Sequence, residues 1–120
     1  MVQKVNLADK FALFHDHWHP RIAGEVNDMH VKLTKLKGEF VWHTHDAEDE
    51  MFLVVRGELL IRLRDQEITV GEGEFIIIPH GVEHQPVAKE EVEVILFEPK
   101  GTLNTGNVEN ERTVSELDWI

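Results

Sequence analysis

The chain has 120 residues, with 42% apolar and 29% charged positions, 12 basic against 23 acidic residues, a net charge of −11 and no cysteine. That length gives one domain with one core, and the missing cysteines exclude a disulfide framework, a thiolate metal site and a thiol nucleophile. The acidic balance argues against a nucleic-acid backbone or an anionic membrane as partner. No apolar run approaches the roughly 20 residues of a membrane helix, and residues 1–10 lack an apolar leader, which reads as a cytoplasmic domain.

In chain order, Asn6 caps a first helix with Asp9 three residues on, and Leu7, Phe11, Phe14 and Trp18 recur at helical spacing. Pro20 cannot continue that helix, and the segment up to residue 28 reads as an irregular extension. From Met29 the period changes to two: Met29, Val31 and Leu33 alternate with His30, Lys32 and Thr34, as in a half-buried strand. Further strands are predicted at residues 39–43, 50–56, 59–63, 67–70, 74–78 and 92–97. The turn signals between them are Lys37-Gly38, Gly57, Asp65-Gln66, Gly71 with Gly73, residues 79–81 and residues 99–101. Short strands at this spacing, with almost no helix between them, predict an all-β sandwich or barrel. Residues 51–55 and 75–78 are apolar on both faces, so one face fills the core and the other needs a partner surface, which predicts a homodimer. Residues 101–112 read as loop. Thr113 with Glu116 forms a capping box for a short C-terminal helix.

Four positions carry the chemistry: His43, His45, Glu50 and His84. Residues two apart on a strand share a face, so His43 and His45 point the same way. Glu50 opens the next strand after the acidic turn at 46–49, and an antiparallel return brings its carboxylate back beside the two imidazoles. His84 follows the turn Pro79-His80-Gly81, which aims a side chain from another part of the sheet. Three neutral imidazoles and a carboxylate suit one divalent first-row ion (manganese, iron, cobalt, nickel, copper or zinc) and leave about two of six octahedral positions open.

The frame around these residues is Gly38, His43-Thr44-His45, four residues, Glu50, six residues, Gly57, then after fifteen residues Gly73, Pro79-His80-Gly81 and His84. It resembles the two signature motifs of the cupin superfamily, and specifically its small single-domain members, often labelled mannose-6-phosphate isomerase-like. The resemblance covers about residues 29–99. It implies one cupin domain over 1–120, with an extension at 1–28 and a tail at 100–120, folded as a jelly-roll β-barrel of two antiparallel sheets. It also implies a metal in the lumen held by His43, His45, Glu50 and His84. Ala88 stands where the second motif commonly carries Asn.

Other residues take secondary roles. Phe52 and Val54 share parity with Glu50 and are expected to line the lumen, while Trp42 alternates with His43 and faces away from it. His80, inside the turn, is a candidate general acid–base; His15 and His17 read as structural or surface histidines, and nothing assigns a role to His30. Arg62 and Arg64 alternate with apolar neighbours and face solvent, which leaves no inward cation to grip a phosphate. Glu98 shares the parity of Val94 and Leu96 at the end of the last strand.

The functional expectation is a divalent-metal-dependent enzyme acting on a small oxygenated metabolite, of isomerase or dioxygenase type. The alternative is a non-catalytic barrel that binds a small molecule or the metal itself. A purely structural assembly barrel ranks third.

Overall fold

The computed structural model describes residues 2–120. Its one helix, α1 (Leu7–Phe11), starts where the capping signal lies: Asn6 Oδ1 accepts from the Asp9 amide at 2.9 Å. It stops earlier than the spacing implied. Trp18 adopts φ +61°, with its amide 2.9 Å from the Lys35 carbonyl and its indole Nε1 donating to the Lys37 carbonyl at 2.8 Å. Phe11 and Phe14 are nevertheless buried together, packed with Leu33.

Seven strands follow: β1 (Arg21–Val26), β2 (Met29–Glu39), β3 (Glu50–Arg56), β4 (Leu59–Leu63), β5 (Glu67–Val70), β6 (Phe75–Ile78) and β7 (His84–Pro99). All pairings among them are antiparallel. The order β1-β2-β7-β3-β6 makes one layer, and β4, with β5 on its far side, pairs with β7 to make the second. β7 serves both, pairing through residues 84–87 with β4 and through residues 93–97 with β3. This is a jelly-roll arrangement of antiparallel sheets, left open where no ladder joins β5 to β6 among the described strands.

β3, β4 and β5 have the predicted bounds and β6 starts one residue later, and the departures elsewhere have local causes. β1 was missed because Arg21–Val26 has no clean period of two and shifts register between Ile22 and Gly24. It joins β2 through a two-residue hairpin in which Asn27 takes φ +51°. Gly38 is no chain reversal. With φ +87° it lies where the β2–β7 ladder shifts register, the extra residues falling at 89–91 of β7, so β2 runs on to Glu39, and the strand expected at 39–43 reduces to a single bridge at His43. The C-terminal helix is absent. The Thr113 hydroxyl instead accepts from the Asn110 amide and lies 2.6 Å from the Thr105 hydroxyl, and the chain runs extended to pair Trp119 with Ile22.

The face of β2 toward the core also differs from a simple apolar-in reading. Lys32, Thr34 and Leu36 are buried, while Leu33 is buried on the opposite side, beneath Phe11 and Phe14. The main core gathers Phe52, Val54, Leu59, Ile61, Val92 and Val94 between the layers. On β6 the other face is open, with Phe75 59% and Ile77 54% exposed. Among the described residues no helix is long and apolar enough to cross a membrane.

Candidate metal centre

The site forms where the end of the first motif meets the start of β7. His43 and His84 are antiparallel bridge partners, each amide donating to the other's carbonyl at 3.0 Å. Between the two histidines, the Thr44 amide donates to Asn107 Oδ1 at 2.9 Å and the Thr44 carbonyl accepts from the Asn107 amide at 3.0 Å. The His45 carbonyl takes the Gly81 amide at 2.8 Å, which ties the turn at 79–81 to the first motif. Glu50 is the first residue of β3, paired with Ile78 of β6. The tail approaches so closely that a Cβ on Gly106, whose φ is +56°, would lie 2.3 Å from the Thr44 carbonyl oxygen.

The fold thus brings together all four residues singled out from the sequence. One ligand atom from each of His43, His45, Glu50 and His84 lies within 4.8 Å of the others, and all four residues are buried. His43 and His84 have Nδ1 at 2.9 Å and 3.0 Å from the carbonyls of Val41 and Val82. A neutral imidazole donating there presents the Nε2 lone pair inward. The inward atoms lack partners: His45 Nε2, His84 Nε2 and Glu50 Oε1 are buried without hydrogen bonds, and both nitrogens sit 3.4 Å from that oxygen. Three buried polar atoms without hydrogen-bond partners converging on one point are costly unless a cation sits among them. The donor set, nitrogen with one carboxylate, fits a first-row divalent ion.

The electrostatics agree. Burial, with His84 alongside, pushes His43 down to about 4 from its ordinary 6.5, so its neutral, ligating form dominates. Burial alone would raise Glu50, yet contacts with His45, His84 and Glu98 hold it well below its ordinary range. Glu98 moves the other way: burial and the Glu50 charge raise it well above the usual carboxylate range, against the pull of Lys32. Lys32 Nζ donates to Glu98 Oε1 at 2.8 Å and to the Thr102 carbonyl at 3.3 Å, and both side chains are almost wholly buried.

A cavity opens beside the cluster. Its wall includes Trp18, Thr34, Phe40, Phe52 and Leu96, together with His43 and Glu50 of the cluster. Phe52 is therefore on the cavity, whereas Val54 is fully buried in the core. Trp42 faces away and is covered by the Arg64 guanidinium, 3.8 Å from the ring centroid. Arg62 bonds Glu67 and Gln85 on the partly exposed face of β4. His80 is 62% exposed at its side chain and has Nδ1 2.8 Å from Asp49 Oδ1. His17 Nε2 lies 2.7 Å from Glu91 and His30 Nε2 3.3 Å from Glu25, both outside the cluster, and His15 is exposed.

Sequence reasoning missed three polar groups near the site. Lys32 and Thr34 were placed on the polar face of an alternating strand, and only the packing of Leu33 under α1 shows that they point inward. Arg112 lies in a tail with no periodicity, yet its guanidinium comes within 5.8 Å and 5.9 Å of the Trp18 and Phe40 ring centroids.

The family model for the cupin domain matches residues 29–98. The chain belongs to the cupin domain family. A crystal structure of a cupin-2 domain containing protein from Shewanella frigidimarina is 52% identical, covers 80% of this chain and 94% of that one, and superposes with a TM-score of 0.79. Protein NMB1881 from Neisseria meningitidis is 28% identical, covers 82% of this cupin and all of its own chain (100%), and gives a TM-score of 0.75. In sequence the cupin is 44% identical over 62 residues to the uncharacterized protein YdbB of Bacillus subtilis, covering 51% of this chain and 55% of that protein. It is 34% identical over 68 residues to 3-hydroxyanthranilate 3,4-dioxygenase 2 of Aspergillus clavatus, covering 52% of this chain and 36% of that enzyme. The matched stretches thus span about half of YdbB and about a third of the dioxygenase.

Proposed function

We propose that His43, His45, Glu50 and His84 hold one divalent transition-metal ion, and that this cupin is a metal-dependent enzyme for a small oxygenated metabolite, of isomerase or dioxygenase type. The observation that carries this reading is the convergence of His45 Nε2, His84 Nε2 and Glu50 Oε1, all buried and without hydrogen-bond partners. Similarity over part of its length to a fungal enzyme named as a dioxygenase supports the oxygenase branch. A bound ion would supply Lewis-acid polarisation of a substrate oxygen or, as iron, a site for dioxygen.

The chain's own residues supply the rest. The Val41 and Val82 carbonyls fix the tautomer and direction of His43 and His84. Glu50 brings the negative charge. Phe52, Phe40 and Trp18 give the cavity an apolar wall that limits water. His80, steadied by Asp49, is the proposed acid–base group at the surface of the turn. A non-catalytic binding barrel would use the same four residues and differ only in leaving its ligand unchanged.

The test is thermal denaturation of metal-reconstituted protein with and without EDTA, beside oxygen-uptake and isomerase assays. Bound ion raises the midpoint by mass action, and chelation should lower it. A midpoint indifferent to EDTA overturns the metal reading. A ligand that raises the midpoint without being converted favours the binding barrel.

A further inference from the structure

The histidines of the cluster are not held alike. His43 and His84 each have Nδ1 against a carbonyl, that of Val41 at 2.9 Å and that of Val82 at 3.0 Å. His45 is 3% exposed, and neither of its ring nitrogens has a hydrogen-bond partner. A ligating imidazole is ordinarily aimed by a bond from its second nitrogen. The direction of His45 therefore rests on the backbone that carries it and on packing against the rings of His43 and His84.

That backbone has two supports. On one side His43 pairs with His84, and the His45 carbonyl takes the Gly81 amide at 2.8 Å. Thr44, between them, bonds to the C-terminal tail instead. Its amide donates to Asn107 Oδ1 at 2.9 Å and its carbonyl accepts from the Asn107 amide at 3.0 Å. A side-chain oxygen and a backbone amide of one residue thus reproduce the paired bonds of an antiparallel ladder. Gly106 permits the approach, because a Cβ there would lie 2.3 Å from the Thr44 carbonyl oxygen and 3.1 Å from His43 Cδ2.

The tail is closed on itself into a strap. Asn104 joins its two ends, donating from Nδ2 to the Arg112 carbonyl at 2.8 Å and accepting the Val114 amide at Oδ1 at 2.9 Å. Inside it the Thr105 and Thr113 hydroxyls lie 2.6 Å apart, and Thr105 is fully buried. Among the described residues, the hydrogen bonds from 103–114 to the barrel are the pair at Asn107.

We infer that Asn107 is a positioning residue for the metal centre: it stands in for the neighbouring strand that residues 43–45 lack on the tail side, and so sets the direction of His45. The inference rests on the metal-centre reading, in which His45 is a ligand.

The experiment titrates full-length protein with cobalt(II) and follows the visible absorption of the bound ion, beside NMR of the histidine rings in EDTA. Asn107→Ala removes the oxygen that holds the Thr44 amide. It should weaken cobalt binding at least about tenfold and change the shape of the absorption band, because one nitrogen ligand is displaced. Asn107→Asp keeps the acceptor and should keep the wild-type band. Gly106→Ala pushes the strap off Thr44 and should reproduce Asn107→Ala, which keeps the test open if the latter does not fold. The double variant should be no worse than either single one, since both break the same latch. Amide signals of the β2–β7 ladder report whether the barrel is intact in each variant. In EDTA, Asn107→Ala should shift the His45 ring signals and leave those of His84 in place. An unaltered band in Asn107→Ala and Gly106→Ala, unchanged His45 signals, or a band in Asn107→Asp as altered as in Asn107→Ala overturns the proposal. A wild type that takes up no cobalt sinks the metal centre alone, and the His45 signals in EDTA then decide the positioning role.

Discussion

His84 and His43 are joined by two backbone hydrogen bonds of 3.0 Å, each amide to the other's carbonyl, at the point where β7 starts. A ladder pair of this kind fixes two ligand side chains by backbone geometry rather than by the side chains' own contacts. Glu50 is likewise fixed by its pairing with Ile78. Glu50 and His84 thus open strands, His43 holds a single bridge, and His45 lies in the loop tied to Gly81, with Asn107 of the tail bonded to Thr44 between the two histidines.

The imidazole of His43 makes metal-free protein sensitive to acid. Its ordinary value of 6.5 falls to about 4 in the fold, through burial and then the neighbouring His84. The unfolded chain therefore takes its proton first as pH drops. Its contribution to stability is complete above about pH 6.5 and is lost progressively down to about pH 4, in total about 3 kcal/mol. Urea denaturation in EDTA across that range should show the slope, and His43→Asn should flatten it. An unchanged slope in the variant would place the sensitivity elsewhere.

Much of this was legible in the sequence. β3, β4 and β5 have the predicted bounds to the residue, and the four residues singled out by the motif frame, His43, His45, Glu50 and His84, lie in one cluster. What was hidden had a physical reason. β1 is broken by the register shift between Ile22 and Gly24, so it carries no period. Lys32 looked like a solvent-side residue because Leu33 next to it is apolar, but Leu33 serves a second small core under α1. Arg112 and Asn104 act through contacts between segments far apart in the chain, which no local pattern encodes.

The buried pair behind the site gives a second expectation. Lys32 Nζ donates to Glu98 Oε1 at 2.8 Å with both side chains almost inaccessible. Lys32→Met should cost about 2–3 kcal/mol, since it strands the Glu98 carboxyl and the Thr102 carbonyl. Glu98→Gln should cost less, about 1 kcal/mol, because the amide oxygen still accepts from Lys32. Equal losses in the two variants, read from denaturant midpoints, would contradict the pairing.

The open face of β6 is the proposed dimer surface. Phe75 and Ile77 are 59% and 54% exposed and lie opposite Leu53 and Met51 in the ladder, which widens the apolar patch across β3. Sedimentation at micromolar concentration should give a dimer, and Phe75→Ser with Ile77→Ser should give a folded monomer. A monomeric wild-type chain would contradict the proposal.

The central claim, a metal held by His43, His45, Glu50 and His84, is tested most directly by elemental analysis. Untagged protein, purified without chelator or nickel resin, is compared with a His43→Ala/His84→Ala double variant whose fold is checked by circular dichroism. About one equivalent of a first-row divalent metal per chain in the wild type, and none in the variant, is the expected result. No metal in either protein after reconstitution, or equal metal in both, would contradict it.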